Sequence, residues 1–280
     1  MEIRTVQVPC EQKVAQSMWS LRDWWRRRLL RTGGLPGAQW RNTLAALPVM
    51  SGLNRAERRR LGELAWLFLY EKAIHSVQGV IVSDEMRLRI AAQACLPILE
   101  LGLDSYRDVQ TVLVYPSGFI VRHEFADEAG VVHSVVAGLS GEAWERGPVI
   151  LSADDVLAEN ANDGTNLVIH EFAHKLDMLN GSANGLPPLH SGMSVAAWAA
   201  AFEAAFEDLC TRAARGETLP IDAYATENPA ECFAVMSEAF YEIPQVLNAA
   251  YPDVYAQLVL FYRQDPGQRF QGIPCVPSDT

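Results

Sequence analysis

Two histidines and a glutamate that lie close together in the chain have the types and spacing of a hydrolytic metal site. His170, Glu171 and His174 form the pattern His-Glu-x-x-His. Residues four apart share one face of a helix, so both imidazoles can reach a single ion. Zinc takes neutral imidazole nitrogens in a tetrahedral set and, in catalytic sites, keeps one position for water. Glu171 lies beside that face and can act as a general base toward the water.

The neighbouring residues predict a helix for this motif. Residues 163–165 offer capping side chains, and the run to Met178 contains neither proline nor glycine. His170, His174 and Asp177 form one polar stripe, and an apolar stripe would face the core. Two surface histidines on an amphipathic helix would give the same pattern, so the motif alone remains a hypothesis.

A catalytic zinc needs a third protein ligand. One class of zinc enzymes takes a further histidine shortly after the helix, but the corresponding positions here are Asp177 and Asn180, which excludes that class. The alternative is a glutamate from a later helix. Residues 224–238 offer three of them, namely Glu227, Glu231 and Glu238.

Sequence spacing does not decide between these glutamates. Glu227 precedes the predicted helix, whereas Glu231 and Glu238 are two turns apart on one face. Glu231 is also the third residue of a helix opened by Asn228 and Pro229, where a glutamate commonly caps the chain. Glu231 as ligand, Glu231 as cap and Glu238 as ligand therefore all stay open. If Glu231 binds the metal, Glu238 is well placed to orient a ligand.

Three further residues have a chemical and an ordinary interpretation. Tyr224 could donate a hydrogen bond to the oxyanion formed at a peptide carbonyl, or it could be a half-buried tyrosine. Asp177 could orient a histidine ring or join the helix to a loop. His190 lies in the Gly- and Pro-rich loop at 180–194 and could cover the metal, although a lone loop histidine is more often solvated.

Most of the chain has helical periodicity, and the predicted helices include 54–74, 84–101, 228–241 and 246–263. A small sheet is predicted just upstream of the motif. The predicted strands are 111–115, 119–122, 131–137 and 149–152, together with a short strand or turn at 79–82. Residues 147–152 are a candidate edge strand that could bind a substrate backbone, and an interior position is equally compatible. The fold class is thus α+β, predominantly helical, with a small mixed sheet next to the motif helix.

The length of 280 residues is compatible with one domain with lobes or with two small domains. We predict these segments: a flexible N-terminus at 1–16, a single domain at 17–265 with a helical lobe at 17–105, the sheet and motif helix at 106–180 and a second helical lobe at 181–265, and a loose tail at 266–280.

Composition narrows the possible environments and partners. Five widely spaced cysteines without a Cys-x-x-Cys pair indicate reduced thiols. Neither an apolar signal core nor a membrane span is evident, so we expect a cytoplasmic location. We also expect a monomer. The net charge of −11 argues against direct nucleic-acid binding.

The charge is uneven along the chain. Residues 1–60 carry twelve Arg and Lys against four Asp and Glu, whereas the remainder is strongly acidic. Residues 17–31 combine arginines with Trp19, Trp24 and Trp25. Such a helix could pack on the domain with a solvated arginine face, or it could contact a partner or anionic lipid.

At residues 170–177 and 224–238 the sequence resembles the Mlc titration factor A family of bacterial zinc-dependent peptidases. The likeness extends through residues 90–95, 114–116 and 147–152 and covers roughly residues 20–270. A more distant likeness is to the catalytic domain of anthrax lethal factor, which shares the Tyr-x6-Glu spacing.

The resemblance implies a zincin-like metallopeptidase with one Zn2+ per chain. It implies His170, His174 and Glu231 as ligands, Glu171 as base and Tyr224 as oxyanion donor. It also implies an aminopeptidase that binds a Mlc-like transcriptional repressor of sugar-uptake genes. The alternative function is a weakly active or non-catalytic adaptor that sequesters a transcription factor and has a structural zinc.

Overall fold

Helices make up most of the protein, as predicted. The structure, a computed structural model, describes residues 10–116, 120–126, 132–138, 147–158 and 162–270. The helices are α1 (Cys10–Thr32), α2 (Gly37–Ala45), α3 (Arg55–Glu71), α4 (Asp84–Cys95), α5 (Ala153–Leu157), α6 (Leu167–Asp177), α7 (Val195–Ala214), α8 (Pro229–Glu242), α9 (Pro244–Ala250), α10 (Pro252–Tyr262) and α11 (Pro266–Phe270). The strands are β1 (Ala73–Ser76), β2 (Thr111–Tyr115), β3 (Ile120–Ala126), β4 (Val132–Gly138) and β5 (Val149–Ser152).

Three strands form a parallel sheet in the order β1-β2-β5, and β3 and β4 form a separate antiparallel pair. Val112 of β2 lies between Ile74 of β1 and Val149 of β5. Within the described residues β5 pairs only with β2, so β5 is an edge strand of the sheet. The predominantly helical α+β class is confirmed, and the three-stranded sheet is parallel rather than mixed.

The first strand, β1, comes before the segment for which the sequence predicts a strand or a turn, and that segment begins in a turn. The sequence pattern extends the third helix to Ile74, but α3 ends at Glu71 because Lys72 adopts an extended backbone. Residues 79–82 form no strand, since Gln78 and Gly79 both have positive φ and Ile81 is 85% exposed. The chain enters the sheet immediately after α3.

Prolines account for two further differences. The helix predicted from Asp84 to Leu101 ends at Cys95, just before Pro97. The helical stretch predicted from Val246 to Arg263 is divided into α9 and α10, because Pro252 has no N–H to continue the first helix.

The described chain begins and ends with a helix. The helix α1 begins at Cys10, inside the segment predicted to be flexible. The predicted tail begins with α11, where Arg269 donates hydrogen bonds to Glu57 and Gln264. Residues 1–9 and 271–280 lie outside the described part of the chain.

Two central helices form the middle of the core. In α4, Ile90 and Cys95 are fully buried, and every residue of α8 from Ala230 to Glu242 is buried. The helix α6 packs against both. Carboxylates on α8 are therefore held in the protein interior next to the motif helix. Across the described ranges, no helix is both long and apolar enough to span a bilayer.

Candidate metal centre

The motif helix is fixed at its start by a side chain that sequence reasoning did not select. Asn166 caps α6, and its Oδ1 accepts a hydrogen bond from the N–H of Ile169 at 3.1 Å. Asp163, predicted as a capping residue, accepts instead from the backbone and hydroxyl of Thr165. The cap sits in the core, so the orientation of α6 is set by buried contacts.

The structure brings His170, His174 and Glu231 to one point. The two Nε2 atoms are 3.1 Å apart, and Oε2 of Glu231 lies 3.0 Å from Nε2 of His170 and 3.2 Å from Nε2 of His174. All three side chains are buried. One oxygen and two imidazole nitrogens facing the same small volume are the donor set expected of a catalytic zinc site.

Glu231 does not act as the cap of its own helix. The N-terminus of α8 is capped by Asn228, whose Oδ1 accepts from the N–H of Ala230 at 2.9 Å and of Glu231 at 3.0 Å. The carboxylate of Glu231 is thereby free to contact the imidazoles. Glu227 is exposed at the preceding turn and does not join the cluster.

Glu238 contacts the other side of the first imidazole. Its Oε1 lies 2.7 Å from Nδ1 of His170, and its Oε2 accepts the backbone N–H of Asn166. A hydrogen bond from Nδ1–H to this carboxylate leaves the Nε2 lone pair directed at the shared point. Glu238 thus contacts the first imidazole from outside the group of three donors, the position expected of it if Glu231 binds the metal.

The charges around this point favour a cation. Burial alone lowers the pKa of His170, but hydrogen bonds with Glu231 and Glu238 outweigh it and raise that pKa to about 10. Burial raises the pKa of Glu231, whereas its hydrogen bonds with both imidazoles lower it to about 2. An environment that holds a proton on the ring so strongly also suits a divalent ion in the proton's place.

Glu171 and Tyr224 line a cleft beside the three donors. The cleft encloses about 350 Å³ and is also lined by His170 and Glu238. Burial raises the pKa of Glu171, and the nearby His170 and His174 oppose this rise. Tyr224 lies on a 3-10 turn at Ala223–Thr226, with its ring centroid 6.0 Å from that of His170.

The cleft is strongly acidic. Besides Glu171 and Glu238 it is lined by Asp155, Asp163 and Asp222, and no lysine or arginine is among the described lining residues. Sequence reasoning missed these aspartates, because they come from three separate segments without a shared spacing. Asp222 also accepts the N–H of Tyr224 at 2.8 Å, so it supports the turn that carries the tyrosine.

Asp177 joins the motif helix to the following loop. Its Oδ2 accepts the N–H groups of Asn184 at 2.8 Å and Gly185 at 2.7 Å. Its Oδ1 and the Nδ1 of His174 are both buried without a partner within the described structure. His190 lies away from the donor set, with Nε2 2.7 Å from the carbonyl oxygen of Phe261.

This donor set in a predominantly helical zincin-like fold is typical of the metallopeptidases, and comparison with known proteins agrees. The profile of the family described as "Glucose-regulated metallo-peptidase M90" matches residues 21–263. The protein therefore belongs to this metallopeptidase family, and the resemblance found in the sequence is confirmed.

Its relatives narrow the identification further. The chain is 42% identical over 237 residues to "Mlc titration factor A" of Serratia proteamaculans (strain 568), across 84% of this chain and 90% of that protein. It is 40% identical to the protein of the same name from Yersinia enterocolitica, across 84% of this chain and 88% of that protein. The Yersinia pestis (strain Pestoides F) relative is also 40% identical, with 84% and 87% covered.

Proposed function

We propose that the protein is a zinc-dependent aminopeptidase of the cytoplasm. The observation that carries this proposal is the convergence of His170, His174 and Glu231, buried on two packed helices. The cleft beside them is lined by His170, Glu171 and Tyr224. Two nitrogens and one carboxylate leave a fourth tetrahedral position for water or substrate.

The ligand residues would hold one zinc ion, which supplies a Lewis acid that polarises the scissile carbonyl and acidifies water. Glu171 accepts a proton from the attacking water and returns it to the leaving amine, a role helped by its raised pKa. Tyr224 donates a hydrogen bond to the carbonyl oxygen as negative charge develops there. Glu238 keeps the proton of His170 on Nδ1.

The acidity of the cleft supports a preference for peptides with a free amino terminus. An ammonium group is the positively charged feature common to every such substrate, and carboxylates at the cleft, such as Asp155 and Asp222, favour it. The edge strand β5 offers backbone groups for an extended substrate. Lys175 of α6 donates to the carbonyl of Gly147 at 3.1 Å, which ties the start of this strand to the motif helix.

Replacing Glu171 tests the proposal. Glu171→Gln should retain one equivalent of zinc, because Glu171 is outside the donor set, and should lose at least about a hundredfold in hydrolysis of alanyl chromogenic substrates. Removal of metal by a chelator should abolish the activity of the wild-type protein, and added zinc should restore it. Zinc-loaded Glu171→Gln protein that hydrolyses at the wild-type rate would refute the mechanism.

A regulatory role is the second part of the proposal. The relatives are named for titration of Mlc, and we infer that this protein binds a Mlc-like transcriptional repressor. The exposed Trp24 and Trp25 favour the alternative that partner binding is the main function and the zinc structural. Repressor capture by Glu171→Gln separates the two functions: binding without hydrolysis would show them to be independent.

A further inference from the structure

The outward face of α1 carries large apolar side chains that the described elements leave uncovered. Leu21, Trp24 and Trp25 are 61%, 51% and 52% exposed, and Tyr70 at the end of α3 is 59% exposed. The rings of Trp24 and Trp25 meet edge to face at 5.8 Å, and the guanidinium of Arg28 lies 5.9 Å from the Trp24 ring centre. Tryptophan, tyrosine and arginine are the residues that most often dominate protein interfaces.

The opposite face of α1 is fixed to the body of the protein. Arg26 makes a two-pronged ion pair with Glu71, at 2.6 and 2.8 Å, and a third contact of 2.7 Å with Asp104. Leu29 and Leu30 pack against the core. The outward face is therefore held in one orientation before any partner binds, which lowers the entropy cost of binding.

A groove of about 450 Å³ separates this face from the end of α3. Its apolar lining comes from Trp25, Leu29 and Tyr70, which suits an apolar or aromatic side chain. Its basic lining includes Lys72 and Arg107. A recess with aromatic walls fits a single inserted side chain of a protein segment.

Lys72 is an unusual residue for such a groove. It is only 7% exposed, and its Nζ donates one described hydrogen bond, to the carbonyl of Tyr106 at 2.7 Å. An ammonium group has three N–H donors, so a carboxylate entering the groove would gain a charge-assisted hydrogen bond. Burial lowers the pKa of Lys72, and such a carboxylate would counteract this effect.

We propose that this groove binds a segment of a partner protein in which an apolar or aromatic side chain adjoins acidic side chains. The anchor packs between Trp25 and Tyr70, and the carboxylates pair with Lys72 and Arg107, which line the groove. The charges of the groove support this choice, because four of the residues that line it are basic and only one, Glu71, is acidic, in a chain of net charge −11.

The inference deepens the partner-binding half of the proposed function and does not depend on the zinc chemistry. The groove and the metal cleft share no lining residue. Substitutions in the groove should therefore leave hydrolysis of alanyl substrates unchanged, and failure of one proposal is distinguishable from failure of the other.

The test is selection of phage-displayed random peptides on the zinc-loaded full chain, followed by fluorescence anisotropy with a labelled synthetic copy of the enriched peptide. We expect acidic peptides with an apolar or aromatic residue, whose affinity decreases with salt. Trp25→Ala and Arg107→Ala should each weaken binding by about tenfold or more. Lys72→Met should weaken binding to the same extent, provided that circular dichroism shows the variant to be folded.

Matched controls lie away from the groove. Arg59→Glu changes an exposed arginine on α3, and Leu260→Ala removes an exposed leucine on α10; both should bind the peptide like wild type. Enrichment of basic or uncharged peptides, absence of enrichment over Trp25→Ala protein, or binding by Trp25→Ala and Arg107→Ala as tight as that of the wild type would overturn the proposal. Binding to phosphatidylglycerol vesicles that requires Trp25, without peptide selection, would also overturn it in favour of a membrane contact.

Discussion

Glu238 is the residue whose role is most directly tied to the first imidazole. It accepts from Nδ1 of His170 with one oxygen and from the backbone of Asn166 with the other. A glutamine at this position offers only one acceptor oxygen for two donors. Glu238→Gln should therefore weaken zinc affinity by about ten- to a hundredfold, measured by competition with a chromophoric chelator. Glu203→Gln on the exposed face of α7 is the control, and equal zinc affinity of both variants would contradict the assigned role.

Glu242 predicts a pH dependence of stability. The residue is 2% exposed; Asn166 donates to its Oε1, and its Oε2 has no partner in the described structure. Burial raises its pKa from 4.5 to about 7, against the opposing hydrogen bond from Asn166. Between these two values the folded protein keeps a proton that the unfolded chain loses, so the contribution of Glu242 to stability falls as pH rises.

Glu242→Gln removes this dependence. Relative to wild type, its free energy of unfolding should increase from pH 5 to pH 8, by at most about 3 kcal/mol. Urea denaturation of both proteins at constant zinc concentration measures the difference. A difference that is independent of pH would show that Glu242 is already ionised in the fold.

Residue types and spacing predicted the motif but did not choose the third ligand, which only the resemblance to the family implied. Glu231 and Glu238 lie on one face of α8, and spacing cannot tell which of them faces the motif helix. In the structure both contact His170, Glu231 at Nε2 and Glu238 at Nδ1. No sequence pattern connects the three aspartates of the cleft. They lie on α5, in the segment before α6 and beside the turn that carries Tyr224, and only the packing of these three parts brings them together.

At the scale of elements, the loop that follows α6 contacts both helices that carry the donors, α6 and α8. Asp177 fixes Asn184 and Gly185 to α6, and the carbonyl of Gly185 accepts from Nε1 of Trp198 at 2.9 Å. Gly185 has φ +79, and a Cβ there would lie 2.5 Å from the carbonyl oxygen of Pro229, the first residue of α8. The loop therefore packs closely against the N-terminal end of α8, the helix that carries Glu231.

Gly185→Ala should disturb this contact. We expect a loss of roughly 2 kcal/mol or more in stability and a parallel loss of zinc affinity, measured by thermal unfolding and chelator competition. Gly192→Ala is the matched control, because Gly192 lies in the same loop with φ +100 but has no atom within 4 Å of its Cβ position. If both variants lose zinc equally, the contact with Pro229 is not what positions the helix.

The elements that sequence patterns missed have local physical causes. Residues 73–76 follow a long helical pattern without an intervening glycine or proline, so nothing in that stretch indicates that α3 ends at Glu71. The buried Lys72, bonded to the carbonyl of Tyr106, marks the change to extended chain. By contrast, α8 was predicted well, because Asn228 and Pro229 define its start.

At the scale of the molecule, the proposed metal chemistry and the proposed partner binding lie in different parts of one fold. The acidic cleft is formed by α5, α6, α8 and the Tyr224 turn, whereas the basic aromatic groove is formed by α1, the end of α3 and residues near β2. The uneven charge along the sequence anticipated this division. Length and periodicity were enough for the fold class, but the order of the sheet required the structure.

The zinc content of wild-type and Glu231→Gln protein tests the central claim most directly. Both proteins would be dialysed against the same zinc buffer and analysed by mass spectrometry, with Glu203→Gln as control. One zinc per chain in the wild type and the control, and a large loss in Glu231→Gln, is the expected result, because a buried carboxylate completes the donor set. A wild-type protein that binds no zinc, or a Glu231→Gln protein that binds it as tightly as wild type, would contradict the account.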